Sequence, residues 1–202
     1  MIDKTIPYFN VIMRYDGPAI AIPPIAPRGY RFRGYCPGDE CAWARMEVDN
    51  KDFDTYDNAV KYFKNKYCSF PNKLLERFIG IENGDGKLCG AVICWEDDRE
   101  SIPVSSVHWL ITDPSEQGNG LGAALIKMLL YRFSTLDRLP VYLHTQPWSY
   151  IAIGIYSKLG FRLLANDSFR GYENQSLQSL PVLEGLMRRE LFIKLKEEMI
   201  QD

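Results

Sequence analysis

A mixed α/β fold, with a central sheet carrying helices on both faces, is what this sequence predicts. Three observations point to it. Stretches of β-branched and alternating residues are interleaved with stretches whose apolar residues recur at helical spacing. At mid-chain a strand-like run, Val107 to Ile111, passes through a glycine-rich turn into a long helix-like run. The order along the chain, β-β-α-α-β-β-β-α-β-α-β with further helix after it, is not the βαβαβ alternation of a doubly wound sheet.

Each element has its own signal. Pro7, Pro18, Pro23, Pro24 and Pro27 keep the first third out of helix, leaving strands at Val11 to Arg14 and Tyr30 to Arg33. Pro37-Gly38-Asp39 is a turn, and Asp39 is expected to cap a helix over Glu40 to Val48, with Trp43 as core or pocket wall. Asp49 to Asp52 reads as a solvated link. Asp54 or Thr55 opens a second helix to about Tyr67, with Tyr56, Ala59, Val60 and Phe63 on one face. Arg77 to Glu82 and Leu88 to Trp95 flank Asn83-Gly84-Asp85-Gly86, a hairpin turn, and Glu96-Asp97-Asp98 is expected to end the second strand.

After the strand at Val107 to Ile111, Asp113-Pro114-Ser115 is turn chemistry, and Leu121, Leu125, Met128 and Leu129 mark the long helix. Leu139-Pro140 breaks the chain, and Val141 to Thr145 alternates as a strand. Ser149 is placed to cap a helix through Leu159, which Gly160 closes in the C′ position. Phe161 to Ala165 reads as a strand and Arg170-Gly171-Tyr172 as a turn. Leu177 to Met187 and Arg189 to Ile200 read as helices.

Composition narrows the function classes. At 202 residues, 46% hydrophobic and 25% charged, the chain is expected to be a single globular domain, 1–202. The net charge of −2 carries no basic excess, so no nucleic-acid partner is expected. No apolar run is long enough to span a bilayer, so no membrane partner is expected either. MIDKTIPYFN lacks a signal peptide's apolar core, which places the protein in the cytoplasm as an expectation. The five cysteines are odd in number and lack C-x-x-C spacing, so they read as reduced thiols. With only His108 and His144 beside them, no metal site is expected.

The central stretch is Gln117-Gly118-Asn119-Gly120-Leu121-Gly122. Its glycines leave backbone N–H groups uncovered, and a helix start adds unpaired donors and a positive dipole end. Strand, loop and helix make a cradle for a phosphate or pyrophosphate. The letters Gly118, Gly120 and Ala123 also satisfy the dinucleotide pattern G-x-G-x-x-[GA]. The next strand, Val141-Tyr-Leu-His-Thr145, however, lacks the acid that would hold a ribose.

Gln117, Gly120 and Gly122 match Gln/Arg-x-x-Gly-x-Gly/Ala, and the stretch resembles the acyl-CoA pyrophosphate loop of the GNAT superfamily of N-acyltransferases. Further on, Ala152, Tyr156, Lys158, Gly160 and Phe161 resemble that family's A-x-x-x-Y-x-K-x-G-F helix end. Ser149 stands where the family often has asparagine. The resemblance covers roughly residues 75 to 165. It implies a GNAT-type, mostly antiparallel sheet, here with extra C-terminal helices.

The resemblance implies acetyl-CoA as cosubstrate and a small-molecule amine as acceptor, in a monomer or homodimer. It implies a pyrophosphate held at Gln117, Gly118, Asn119, Gly120, Leu121, Gly122 and Ala123. The pantetheine would pair with the backbone of Leu110, Ile111 and Thr112, and Ser149, Ala152, Tyr156 and Lys158 would lie along the same ligand. Tyr156 would be the general acid for the departing thiolate, and His108, on the central strand, a base. A hydrogen-bonded core histidine stands beside that reading of His108. His144, Glu96 and Asp97 are lesser candidates, and Trp148, Trp95 and Tyr172 are candidate pocket walls. A CoA-binding sensor or scaffold without turnover stays open as the alternative to an enzyme.

Overall fold

In the computed structural model of the chain, residues 3–99 and 101–201 are described. Met1, Ile2, Glu100 and Asp202, and so the ends of the expected 1–202 domain, lie outside the described residues. The chain runs through strands β1 (Val11–Tyr15) and β2 (Tyr30–Arg33), then helices α1 (Asp39–Asp49), α2 (Tyr56–Phe63) and α3 (Pro71–Arg77). Strands β3 (Phe78–Asn83), β4 (Leu88–Arg99) and β5 (Ile102–Thr112) lead into helix α4 (Leu121–Thr135). Strand β6 (Val141–Thr145), helix α5 (Tyr150–Lys158), strand β7 (Arg162–Leu163) and helices α6 (Ser176–Leu186) and α7 (Arg189–Glu197) complete it.

The strands form a seven-stranded sheet in the order β2-β3-β4-β5-β6-β1-β7, flanked by helices. β3 is antiparallel to β2 and β4, and β1 is antiparallel to β6 and β7. β5 and β6 pair in parallel. The mixed, mostly antiparallel α/β architecture expected above is the one observed.

The chain divides into two compact units, each described by itself. The first comprises residues 22–94 and 108–129. Its hairpin turns where the sequence expects, because the Asn83 side-chain oxygen accepts from the N–H groups of Asp85 (3.1 Å) and Lys87 (3.0 Å). Its interior is aromatic: Trp43, Phe63, Tyr67 and Phe78 are fully buried. The second unit comprises residues 3–21, 95–107 and 130–201. There β1 is buried against β6 in five-residue register, and Ile12, Tyr142, Leu164, Phe169 and Ile200 pack as one cluster.

Several local expectations are corrected. Gly38, at φ 101, occupies the cap position of α1, and Asp39 is the first helical residue. The Asp39 carboxylate instead accepts from Cys36 N–H (2.7 Å) and from Arg33 (2.6 and 2.8 Å). Thr55 does cap α2, accepting from Asn58 N–H at 3.3 Å, but past Phe63 the helix widens into a π-turn at Lys64–Cys68. α3 was not expected. It opens with Pro71 at its first turn, and Arg77 belongs to it rather than to β3.

β4 runs through Glu96-Asp97-Asp98 to Arg99 instead of stopping at Trp95. Glu96 is bridged to Arg138, while Asp97 accepts from Ser106 Oγ (2.7 Å) and pairs with Arg170 (3.3 Å), so the acids stay in the strand. Ser149 ends a 3-10 turn over Pro147–Ser149, at φ −91, ψ 25, and makes no capping bond. Its backbone lies outside the extended region that capping requires.

Candidate active site

In the first unit the site begins where β4 meets β5. A Cβ on Gly90 would lie 2.9 Å from the Ile111 carbonyl oxygen and 3.2 Å from the side chains of Leu125 and Thr112. Only glycine admits that approach. Asp113 N–H donates to Cys89 O at 2.9 Å, fixing the end of β5. Trp109, at φ 49, is a left-handed residue inside this strand. Its kink breaks the side-chain alternation beyond His108. Ile111 is buried, Leu110 and Thr112 are half-buried, and the Thr112 carbonyl accepts from Asn50 Nδ2 at 3.2 Å.

The glycine loop follows. Asp113 accepts from Ser115 N–H (2.9 Å), tightening the turn at Pro114–Glu116. Gln117 Nε2 donates to Asn50 Oδ1 at 3.2 Å. Asn119 Nδ2 donates to the Glu116 carbonyl (3.2 Å) and to the Tyr30 hydroxyl (3.1 Å), while that hydroxyl donates to the Glu116 carboxylate (2.7 Å). Side chains thus hold the loop from outside.

Gly118 and Gly120 sit at φ 86 and 77, are exposed, and a Cβ on either would meet nothing within 4 Å. Among the described residues, nothing accepts the N–H groups of residues 118–122. Leu121 is 2% exposed and anchors the first turn of α4, whereas Gly122 and Ala123 are half-buried. The loop is therefore an unplugged ring of amides at a helix start, which suits an anionic phosphate. Asp113, at the start of the turn, is paired with Lys87 at 2.7 Å.

His108 lies 3% exposed, its Nδ1 2.8 Å from the fully buried Tyr67 hydroxyl. Sequence reasoning passed over Glu47 and read Asn50 as part of a solvated link, whereas Asn50 is 6% exposed and Asp49 still belongs to α1. Glu47 is 1% exposed, and neither of its carboxyl oxygens has a hydrogen-bond partner among the described residues. Burial, and then the neighbouring Asp52 charge, hold its carboxyl well above the usual carboxylate range. The available signal was an acid four residues after Trp43, on the buried face of α1.

In the second unit, Tyr156 is 6% exposed on α5, its ring 5.7 Å from that of Phe161. Burial pushes its phenol upward, so it holds its proton at neutral pH. Ala152 is half-buried and Lys158 exposed. Ser149 Oγ accepts from Gln146 Nε2 at 3.2 Å. Gly160 N–H donates to Ser157 O (3.1 Å) and Phe161 N–H to Tyr156 O (3.0 Å), a Schellman closure with Gly160 at φ 94.

His144 stacks on Tyr172 at 3.8 Å and 10°, and its Nε2 is 2.9 Å from Asn10 Oδ1. Burial, and then the Arg170 charge, lower its pKa to about 4. Trp95 is buried, and Trp148 packs on Tyr8 with centroids 5.3 Å apart. Glu96 and Asp97 are engaged by Arg138 and Arg170, as described above. Among the described residues, no group of three or more His, Cys, Asp and Glu could hold a metal ion. None of the described helices is long and apolar enough to cross a membrane.

The chain matches the family model described as Acetyltransferase (GNAT) family over residues 42–161. It is similar in fold to a GCN5-related N-acetyltransferase from Sphaerobacter thermophilus, with TM-score 0.57, 16% identity, and coverage of 77% of this chain and 48% of that one. A GNAT-family acetyltransferase from Colwellia psychrerythraea matches with TM-score 0.56, 14% identity, and coverage of 78% and 53%. A GNAT-family putative acetyltransferase from Novosphingobium aromaticivorans gives TM-score 0.52, 22% identity, and coverage of 78% and 61%. The chain thus spans about half to three-fifths of the length of these structures. No curated protein matches it.

Proposed function

The chain belongs to the GNAT family of acetyltransferases, and from that premise we propose that it transfers an acetyl group from acetyl-CoA to the primary amine of a small-molecule acceptor, with both substrates bound together. The observation that carries the proposal is the open glycine loop, whose amides at residues 118–122 are held in place yet have no partner among the described residues. Acetyl-CoA, when bound, supplies an activated acyl thioester.

The residues divide the remaining tasks. Gln117 to Ala123 hold the pyrophosphate, with Asn119 and Gln117 bracing the loop. Leu110, Ile111 and Thr112 offer backbone groups to the pantetheine amides, and an N–H on this strand stabilises negative charge at the thioester carbonyl. Ser149, Ala152 and Lys158 line the ligand's path along α5. Tyr156, buried and protonated, gives its proton to the departing thiolate. A thiol's reference pKa of about 8.5 lies below that of tyrosine at about 10, and burial raises Tyr156 further, so the transfer is uphill and worth about 10²–10⁴-fold at most. His108, its ring fixed by Tyr67, serves as the base for the acceptor ammonium. The five cysteines are all free, which fits a reducing, cytoplasmic setting.

The test is turnover on a panel of primary amines, read as acetylated product by mass spectrometry. Wild type is expected to acetylate at least one amine. Tyr156→Phe should lower kcat about 10²-fold with the KM for acetyl-CoA unchanged. Binding of acetyl-CoA with no product from any amine would instead identify a CoA sensor.

A further inference from the structure

α1 crosses β5 with one face. Trp43 meets the Trp109 ring at 5.6 Å, and Asn50 bonds the Thr112 carbonyl at 3.2 Å. Glu47 lies four residues from the first and three from the second, so it shares that face and looks onto β5 between Trp109 and Thr112. This is the stretch assigned above to the thioester. A buried carboxyl coupled to a second acid, Asp52, costs the fold stability unless a proton or a cation offsets it.

Asp52 is the neighbouring acid. Its N–H donates to the Glu47 carbonyl at 2.9 Å, which folds the α1–α2 link back over the helix end, and its side chain is only half-buried. Beside it, Phe53, Tyr62 and Trp109 form a half-buried triangle of rings with centroids 5.4–5.5 Å apart. Fully buried Trp43 lies behind all three. Trp109 Nε1 donates to the Tyr62 hydroxyl at 3.1 Å, which locks two of the rings together. Such a wall attracts cations over ring faces and stacks on flat or apolar bodies.

We infer that Glu47 and Asp52, beside the rings of Phe53, Tyr62 and Trp109, are the cation subsite for the acceptor, selecting a primary amine attached to an aromatic or apolar body. The inference rests on the acetyl-transfer reading and adds the class of acceptor to it. The ammonium lies against the two acids and its hydrocarbon lies on the rings. Glycine, whose own carboxylate would meet the half-buried Asp52 carboxylate, is disfavoured by like-charge repulsion.

The experiment uses the full chain with acetyl-CoA and three probe amines, 2-phenylethylamine, 1,4-diaminobutane and glycine, with thermal unfolding read in parallel. 2-Phenylethylamine is expected to give the highest kcat/KM, tenfold or more above glycine. Glu47→Gln and Asp52→Asn should each raise its KM tenfold or more, leaving the KM for acetyl-CoA and the acetyl-CoA thermal shift unchanged. Tyr62→Leu should narrow the gap between 2-phenylethylamine and 1,4-diaminobutane. Should Glu47→Gln fail to fold, the other two variants decide alone. Unchanged KM for 2-phenylethylamine in the folded acid variants, equal loss for both substrates, or preference for glycine overturns the subsite while acetyl transfer stands. No acetyl-CoA thermal shift and no product from any amine would overturn acetyl transfer itself, and the subsite with it.

Discussion

His144 carries a depressed pKa of about 4 against an ordinary 6.5, because burial and Arg170 disfavour its cation. Between those values the unfolded chain binds a proton that the folded chain refuses, so stability is lost as pH falls through that window. The full shift corresponds to about 3 kcal/mol. Urea unfolding from pH 7 to pH 4 should show this loss in wild type and a smaller one in His144→Gln, which cannot titrate. Identical pH dependence would refute the assignment. None of this was legible in the sequence, where His144 reads as one polar residue in an alternating strand. The burial, the Tyr172 stack and the Arg170 charge all come from a loop more than 25 residues later. Glu47 was missed for a similar reason. Its spacing from Trp43 was visible, but its lack of a partner is a property of packing.

At the scale of elements, motif letters acquire a physical meaning. In Tyr156-Ser-Lys-Leu-Gly160-Phe161, glycine and phenylalanine close α5 by a Schellman motif whose apolar contact is Tyr156 against Phe161. The same closure that ends the helix fixes the phenol. Gly160→Ala should cost about 1–2 kcal/mol, since φ 94 is unfavourable for a side chain and a Cβ would come 3.1 Å from the Tyr15 ring. Denaturant midpoints measure this, and an unchanged midpoint would contradict it. Elements with local signals were legible: the Asn83–Gly86 turn, the β6 strand, the Gly160 stop. α3 was not, because its seven residues bury only Leu74 and offer too little periodicity. The end of β4 was misplaced because Glu96 and Asp97 look solvated until Arg138 and Arg170 are seen beside them.

For the molecule as a whole, a mixed sheet flanked by helices followed from the order of elements, but the strand order did not. β1, the earliest strand, pairs with β6 and β7, partners some 130 to 150 residues distant, and nothing local announces it. The glycine loop stands out in the sequence because its requirement is a backbone one. Calorimetric titration of acetyl-CoA and of S-acetylpantetheine, which lacks the pyrophosphate, into wild type and Gly120→Val asks whether that backbone grips the pyrophosphate. Wild type should bind acetyl-CoA at least about tenfold more tightly than S-acetylpantetheine, and folded Gly120→Val should lose that advantage. Equal affinity of wild type for the two ligands, or an undiminished advantage in the variant, would contradict the phosphate-cradling role of residues 118–122.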